Sequence, residues 1–327
     1  MEPGRIFLFC AALAFAGYLG ACNGDDEKAP SGGGSAGASG AGTTSSGGLG
    51  AQPSDIAQWA MPNSPGLGLP NPQDYDATTT AGVVHDSVTG LDWLQDPGTE
   101  LYARADALDR CDALSFAGFD DWRVPSFIEL VSLFSVVPND ADPMQPVYLS
   151  PLFKAQGRYW VASAVNSNGL GRLLDFTADD CGSTSTACSI GVAGKPDETL
   201  GGAFCVRNGE PFATSARYEK SGTEVTDLRT GLVWLSVPAS AQTGAYTDAL
   251  STCQALGNGA RLPSVNELLS LLVPVLDSKT FPGWPGDAFA WSSSAVPAKP
   301  GSYWAAAIAG ATRADSAETH NRVQCVR

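Results

Sequence analysis

The feature that most constrains this chain is an internal duplication. Asp86-Ser87-Val88-Thr89-Gly90-Leu91-Asp92-Trp93-Leu94 is answered by Asp227-Leu228-Arg229-Thr230-Gly231-Leu232-Val233-Trp234-Leu235, with six of nine positions identical. Leu108, Cys111 and Leu114 recur as Leu250, Cys253 and Leu256, a spacing that places each set on one face of a helix. Arg123-Val124-Pro125-Ser126-Phe127-Ile128-Glu129-Leu130 returns as Arg261-Leu262-Pro263-Ser264-Val265-Asn266-Glu267-Leu268. In each copy a Ser-x-x-Glu capping box opens a second helix, with Ser126 and Glu129, or Ser264 and Glu267, in the cap. A strand at Trp160-Val161-Ala162-Ser163 parallels Trp291-Ser292-Ser293-Ser294, and the copies close on Cys205-Val206-Arg207 and Cys325-Val326-Arg327. A pattern written twice demands two similarly folded bodies. They are placed at residues 77–210 and 214–327, with the order strand, helix, helix, strands.

The segment before the repeats reads as an export and anchoring device. Arg5 precedes an apolar run, Ile6 to Tyr18, which has the length of a signal-peptide core and is too short to span a bilayer. It ends Leu19-Gly20-Ala21-Cys22, a lipobox-like sequence, so residues 1–21 are expected to be removed and Cys22 to carry lipid. Asn23 instead of Asp after that cysteine favours the outer membrane. Residues 22–53, dominated by Gly, Ser, Ala and Thr, form a flexible tether of roughly 30 Å reach. Residues 54–76, rich in proline, are expected to be an irregular lead-in lying on the first copy.

Of eight cysteines, six remain beyond the signal and lipid sites, and six admit many pairings. Repetition selects one set: Cys111 with Cys205 and Cys253 with Cys325, each joining a first helix to a final strand. Cys181 and Cys188, present only in the first copy, then close their own loop. A cysteine-ligated metal is the alternative, and no C-x-x-C spacing supports it. Lys and Arg number 19 against 34 Asp and Glu, a net charge of −15, which argues against nucleic-acid partners. With only two histidines, catalysis by a Ser/His or Cys/His pair is disfavoured, and no cofactor is expected.

The ordered blocks Asp86 to Trp93, Asp121-Trp122-Arg123-Val124-Pro125-Ser126, Tyr159-Trp160 and Cys205-Val206-Arg207 resemble the Lcl C-terminal domain family, also called DUF1566. The second copy departs at Gly259-Ala260-Arg261 and Ala290-Trp291. The resemblance implies an α+β, C-type-lectin-like fold in which two helices flank a twisted antiparallel sheet, with a disulfide from first helix to last strand. It also implies extracellular recognition, the best-known member being an adhesin for sulfated glycosaminoglycans. The −15 charge disagrees with a sulfated ligand.

Candidate site residues follow from the same comparison. Glu129 and Glu267 are expected to be caps, and Arg123 and Arg261 to pair with Asp86 and Asp227 of their own copies. Trp93, Trp160, Trp234 and Trp291 belong in the core, whereas the unrepeated Trp284, Tyr303 and Trp304 are candidates for an exposed ligand surface. Asp179 and Asp180, with Asp140 and Asp142, are the candidates for calcium, although the Glu-Pro-Asn and Trp-Asn-Asp elements of sugar-binding C-type lectins are missing. His85 and His320 have no ligand-spaced partner and read as strand or loop residues. The expectation is a lipid-anchored envelope protein that binds a glycan or protein without catalysis. An enzyme on this fold, related to formylglycine-generating oxidases, and a purely structural envelope protein are the alternatives.

Overall fold

The structure, a computed structural model, describes residues 59–137, 147–162, 171–177, 192–209, 217–271, 288–297, 299–307 and 312–327. The signal segment, the tether, Cys22, and the pair Cys181 and Cys188 lie outside the described residues. The first copy comprises β1 (Tyr75–Asp76), β2 (Val83–Asp86), β3 (Asp92–Leu94), α1 (Arg104–Asp112), α2 (Phe127–Ser132), β4 (Arg158–Trp160), β5 (Gly171–Asp175), β6 (Val192–Lys195) and β7 (Val206–Arg207). The second comprises β8 (Tyr218–Ser221), β9 (Glu224–Asp227), β10 (Val233–Leu235), β11 (Thr243–Gly244), α3 (Tyr246–Ala255), α4 (Val265–Ser270), β12 (Ala290–Ala295), β13 (Ser302–Ala306), β14 (Thr312–Ser316), β15 (Asn321–Arg322) and β16 (Cys325–Val326). The protein is therefore α+β, with few helices and mostly antiparallel sheets.

The two copies repeat one plan. A small sheet in the order β1-β2-β3-β7 is matched by β8-β9-β10-β16, so that the last strand of each copy pairs with its first hairpin. The second sheet is β4-β5-β6 in one copy and β11-β15-β12-β13-β14 in the other. The first helix is tied to the last strand in both, with Cys111–Cys205 and Cys253–Cys325 bridged at Cα separations of 5.5 and 5.4 Å. Closing loops of 94 and 72 residues, each bridge contributes about 4–5 kcal/mol by the chain-entropy account. The indole N–H of Trp160 donates to the Tyr102 carbonyl at 2.9 Å, and that of Trp291 to the Gly244 carbonyl at 2.9 Å, the same bond made twice.

The copies are not separate bodies. All described residues fall in one compact unit, Leu49–Arg327, and a single apolar cluster draws on both halves. Its centre is α2 against α4. Every residue of both helices is buried, as expected for short helices enclosed on all sides. Asn266 of α4 donates to the Phe134 carbonyl just past α2 at 2.7 Å, and Gln73 donates to the same carbonyl at 3.0 Å and to that of Ser132 at 2.9 Å. These side chains satisfy carbonyls that a helix end leaves without partners. Trp304 lies edge-on to Phe134 and Tyr148 of the first copy, at centroid distances of 6.2 and 5.8 Å.

The lead-in differs from expectation. It straps both copies instead of resting on the first, and its last residues, Tyr75 and Asp76, form β1. Trp59 donates its backbone N–H to the Arg229 carbonyl at 2.9 Å, the Pro62 carbonyl accepts from Asn266 at 3.0 Å, and Ser64 accepts from the Val136 amide at 2.8 Å. Trp59, Met61, Asn63 and Ser64 are buried because the junction offers both apolar surface and unpaired polar groups at the same place.

A shared core and a shared strap make the copies one cooperative unit. Calorimetry should show a single transition whose van't Hoff and calorimetric enthalpies agree, whereas separate transitions for the two copies would contradict the shared core.

Candidate functional site

The repeated signature residues build the frame. Glu129, at the third position of α2, accepts the Ser126 amide at 2.8 Å while the Ser126 hydroxyl accepts the Glu129 amide at 3.4 Å. Both oxygens of Glu129 also take a nitrogen of Arg123 at 2.8 Å. The second copy repeats this with Ser264, Glu267 and Arg261, whose two guanidinium bonds are both 2.7 Å. Each glutamate has a further donor from across the junction: Arg229 to Glu129 and Asn63 to Glu267, both at 3.4 Å. Arg229 stands where the first copy has Val88, which cannot donate from its side chain, and the lead-in residue Asn63 fills the corresponding role.

Arg123 and Arg261 thus correct the expected pairing with Asp86 and Asp227. Asp86 instead caps its own turn, accepting the Val88 amide at 2.9 Å and the Thr89 hydroxyl at 2.7 Å, because a turn-initiating Asp finds its nearest donors two and three residues on. Burial pushes its carboxyl pKa up despite these bonds. Asp227 is held by the buried Arg217, whose Nε lies at 2.9 Å. Trp93, Trp160, Trp234 and Trp291 are buried as expected. Trp304 is not a surface residue: it is fully buried, since alternation along β13 turns it toward the junction. Tyr303 is half-buried and stacked on Tyr246 with ring centroids 3.4 Å apart. Trp284, Asp140, Asp142, Asp179 and Asp180 lie outside the described residues. Among the described residues no three His, Cys, Asp or Glu side chains are grouped to hold a metal.

Among the described residues, the first copy carries a face whose side chains the second copy does not repeat. Alternation along the β2–β3 hairpin puts Val83, His85, Asp92 and Leu94 on the side away from Val84 and Trp93. His85 Nδ1 meets Asp92 Oδ1 at 2.7 Å, a cross-strand pair between residues opposite one another in the ladder. The other Asp92 oxygen accepts from Arg207 at 2.7 Å and from Asn208 at 2.9 Å. Arg207 also donates to Asp121 at 2.7 Å and lies 3.5 Å over the Phe119 ring. Asp121 holds the guanidinium pKa up, and Arg207 holds the Asp121 carboxyl down.

Two grooves adjoin along this face. The smaller, of about 260 Å³, is lined by Asp76, Thr79, Thr80, Val83, His85 and Asp92. Hydroxyl bonds from Thr78 and Thr79 lower the Asp76 pKa to about 2, so it is an anion throughout the physiological range. The larger, of about 590 Å³, includes Asp96, Glu100, Tyr102, Arg110 and Phe116 in its lining. Tyr102 donates its hydroxyl to Glu100 at 2.5 Å, and that bond is the main cause of its raised pKa. Gly82 lines the same groove at φ +77°, with the Phe116 ring 2.6 Å from where a Cβ would stand, so only glycine allows the ring this close. Part of the wall backbone is already used: Tyr102 and Gly201 exchange two bonds, and Gln95 donates to Gly82.

The Lcl C-terminal domain model matches residues 82–190 and 223–327, most of the chain and both copies. The chain belongs to the Lcl C-terminal domain family. No curated protein matches it in sequence. The Lcl signature divides physically: the capping box, its Arg, the repeated tryptophans and the bridged cysteines are frame in both repeats. Asp121 of the Asp-Trp-Arg block is tied to the closing Arg207 in the first Lcl repeat alone. Asp96, Glu100, Tyr102 and Arg110 went unremarked in the sequence, and His85 was read only as a strand or loop residue. Their signal is that they occupy positions inside a duplicated frame where the second Lcl repeat has Thr226, Val237, Gln242, Gly244 and Thr252.

Two measurements check this sorting. Arg123→Ala leaves a buried carboxylate short of its main partner and should lower unfolding stability by about 3–5 kcal/mol in denaturant titration; a loss below about 1 kcal/mol would contradict a frame role. Because the folded-state pKa of Asp86 is raised, its contribution to stability is fully present below the unfolded carboxylate value and is lost as pH rises through the folded value. Wild type should therefore gain stability relative to Asp86→Asn as pH falls toward about 4, and a flat or reversed difference would exclude the burial effect.

Proposed function

We propose that the protein is a cell-envelope binding protein, anchored by lipid on Cys22 and held off the membrane by its tether, whose paired Lcl repeats take a glycan or protein ligand without catalysis. The observation that carries this reading is the open groove of the first copy, where Tyr102, Phe116, Glu100, Asp96 and Arg110 converge over disulfide-clamped secondary structure. The mixture of half-buried aromatic faces and exposed polar tips is the composition of a recognition surface. A C-type-lectin-like assignment fits the return of each last strand to the first hairpin and the helix-to-strand disulfides. Oxidised cysteines and the lipobox-like Leu19 to Cys22 agree with export. Among the described residues no helix is long and apolar enough to cross a membrane.

An array of immobilised glycans and envelope proteins, probed with the full chain, tests the reading. Saturable binding that Tyr102→Ala or Arg110→Ala abolishes is expected. Turnover of a ligand, or binding indifferent to both substitutions, would overturn it. Cys22→Ser should move the protein from the membrane to the soluble fraction, and unchanged fractionation would remove the lipid anchor from the account.

A further inference from the structure

The duplication supplies an internal control. A position that the fold requires is kept in both copies, whereas a position altered in a copy that still folds is free of that requirement. The capping boxes, disulfides and buried tryptophans pass as frame by this test. The groove residues do not: Asp96, Glu100, Tyr102 and Arg110 correspond to Val237, Gln242, Gly244 and Thr252. The segment Ser115 to Trp122, which carries Phe116, is answered only by Gly257 to Ala260. None of the four polar groove residues is kept in the second copy, yet they line one cavity beside Phe116.

Resting on the proposed binding role, we infer that the protein carries one ligand groove per chain, in the first copy, and that this groove selects an amino sugar within a glycan. Asp96 and Glu100 are exposed carboxylates at the rim, and they outnumber the single guanidinium of Arg110. Next along the face, in the smaller groove, stands Asp76, while Asp92 there is already paired with Arg207. This arrangement attracts an ammonium and repels sulfate. Tyr102 and Phe116, each half-buried, offer ring surface to the C–H face of a sugar, while Thr99 and Arg110 supply donors to hydroxyl oxygens. A lysine-bearing peptide is the competing cation. Tyr102 already exchanges both backbone bonds with Gly201, and the lining stretch from Asp96 to Glu100 is not a strand, so a peptide finds no strand edge to extend here and recognition by side chains suits a sugar better.

Isothermal titration of the full chain at mildly acidic pH, where the amine is protonated, compares a β-1,4-glucosamine tetramer, its N-acetylated form, a heparin-derived tetrasaccharide and tetralysine. The expected result is binding of the glucosamine tetramer at one site per chain, weakened roughly ten-fold or more by Glu100→Gln and unchanged by Gln242→Ala. Both side chains lie outside the buried frame, and an unaltered unfolding midpoint confirms that each variant is folded. Two sites per chain, indifference to Glu100→Gln, or no binding of the glucosamine tetramer overturns the inference. Should tetralysine, the acetylated tetramer or the heparin fragment bind instead and lose affinity in Glu100→Gln, the sugar class is wrong while the groove remains the binding site. Silence from every probe here overturns the amino-sugar assignment, and silence from the array as well overturns the binding reading.

Discussion

Two buried glutamates hold the molecule together. Glu129 and Glu267 each close a capping box, accept both arms of an arginine and take a third donor from across the junction. A carboxylate removed from water is costly unless its oxygens are all engaged, and here the engagement spans the helix start, the preceding strand-like segment and either the other copy, for Glu129, or the lead-in, for Glu267. The position of α2 relative to α4 is thereby coupled to the start of each helix. Arg123 and Arg261 exchange backbone bonds with Val206 and Val326, so the same pairs also locate the closing strands.

The junction converts a duplication into a single body. Neither α2 nor α4 has a face for solvent, so each copy depends on the other to bury its second helix. Exact repetition fails at the junction where Val88 stands opposite Arg229, and the lead-in supplies Asn63 there; Ile128 opposite Asn266 is a second difference. The strap, the asymmetry of the junction and the burial of Trp304 have one origin: two similar copies meeting through surfaces that are not identical. Freed from that constraint, the outer face of the first copy carries charged and aromatic residues with no counterpart in the second.

The frame was legible because duplication marks it. Element order, the capping boxes, the described disulfides and the buried repeated tryptophans all rest on residue types recurring at matched spacing. The arginine partners were misread because sequence shows charge but not distance: Glu129 lies on the same turn of structure as Arg123, while Asp86 is engaged by its own turn. Trp304 was misread because an unrepeated residue in a strand looks free until its neighbour in the other copy is known. Its partners, Phe134 and Tyr148, are far away in the chain. The His85–Asp92 pair needed hairpin register, which the intervening Thr-Gly turn encodes only indirectly. The groove needed three segments, around Asp96, Arg110 and Phe116, that no local pattern connects.

α2 and α4 form one buried unit, with no independent opening of either copy. Native-state hydrogen exchange of the amides of Leu130, Val131, Leu268 and Leu269 measures this most directly. The account predicts that all four exchange only through global unfolding, with the same opening free energy and the same denaturant dependence. Protection in α4 that falls well below that in α2, or that survives when the first copy opens, would contradict it.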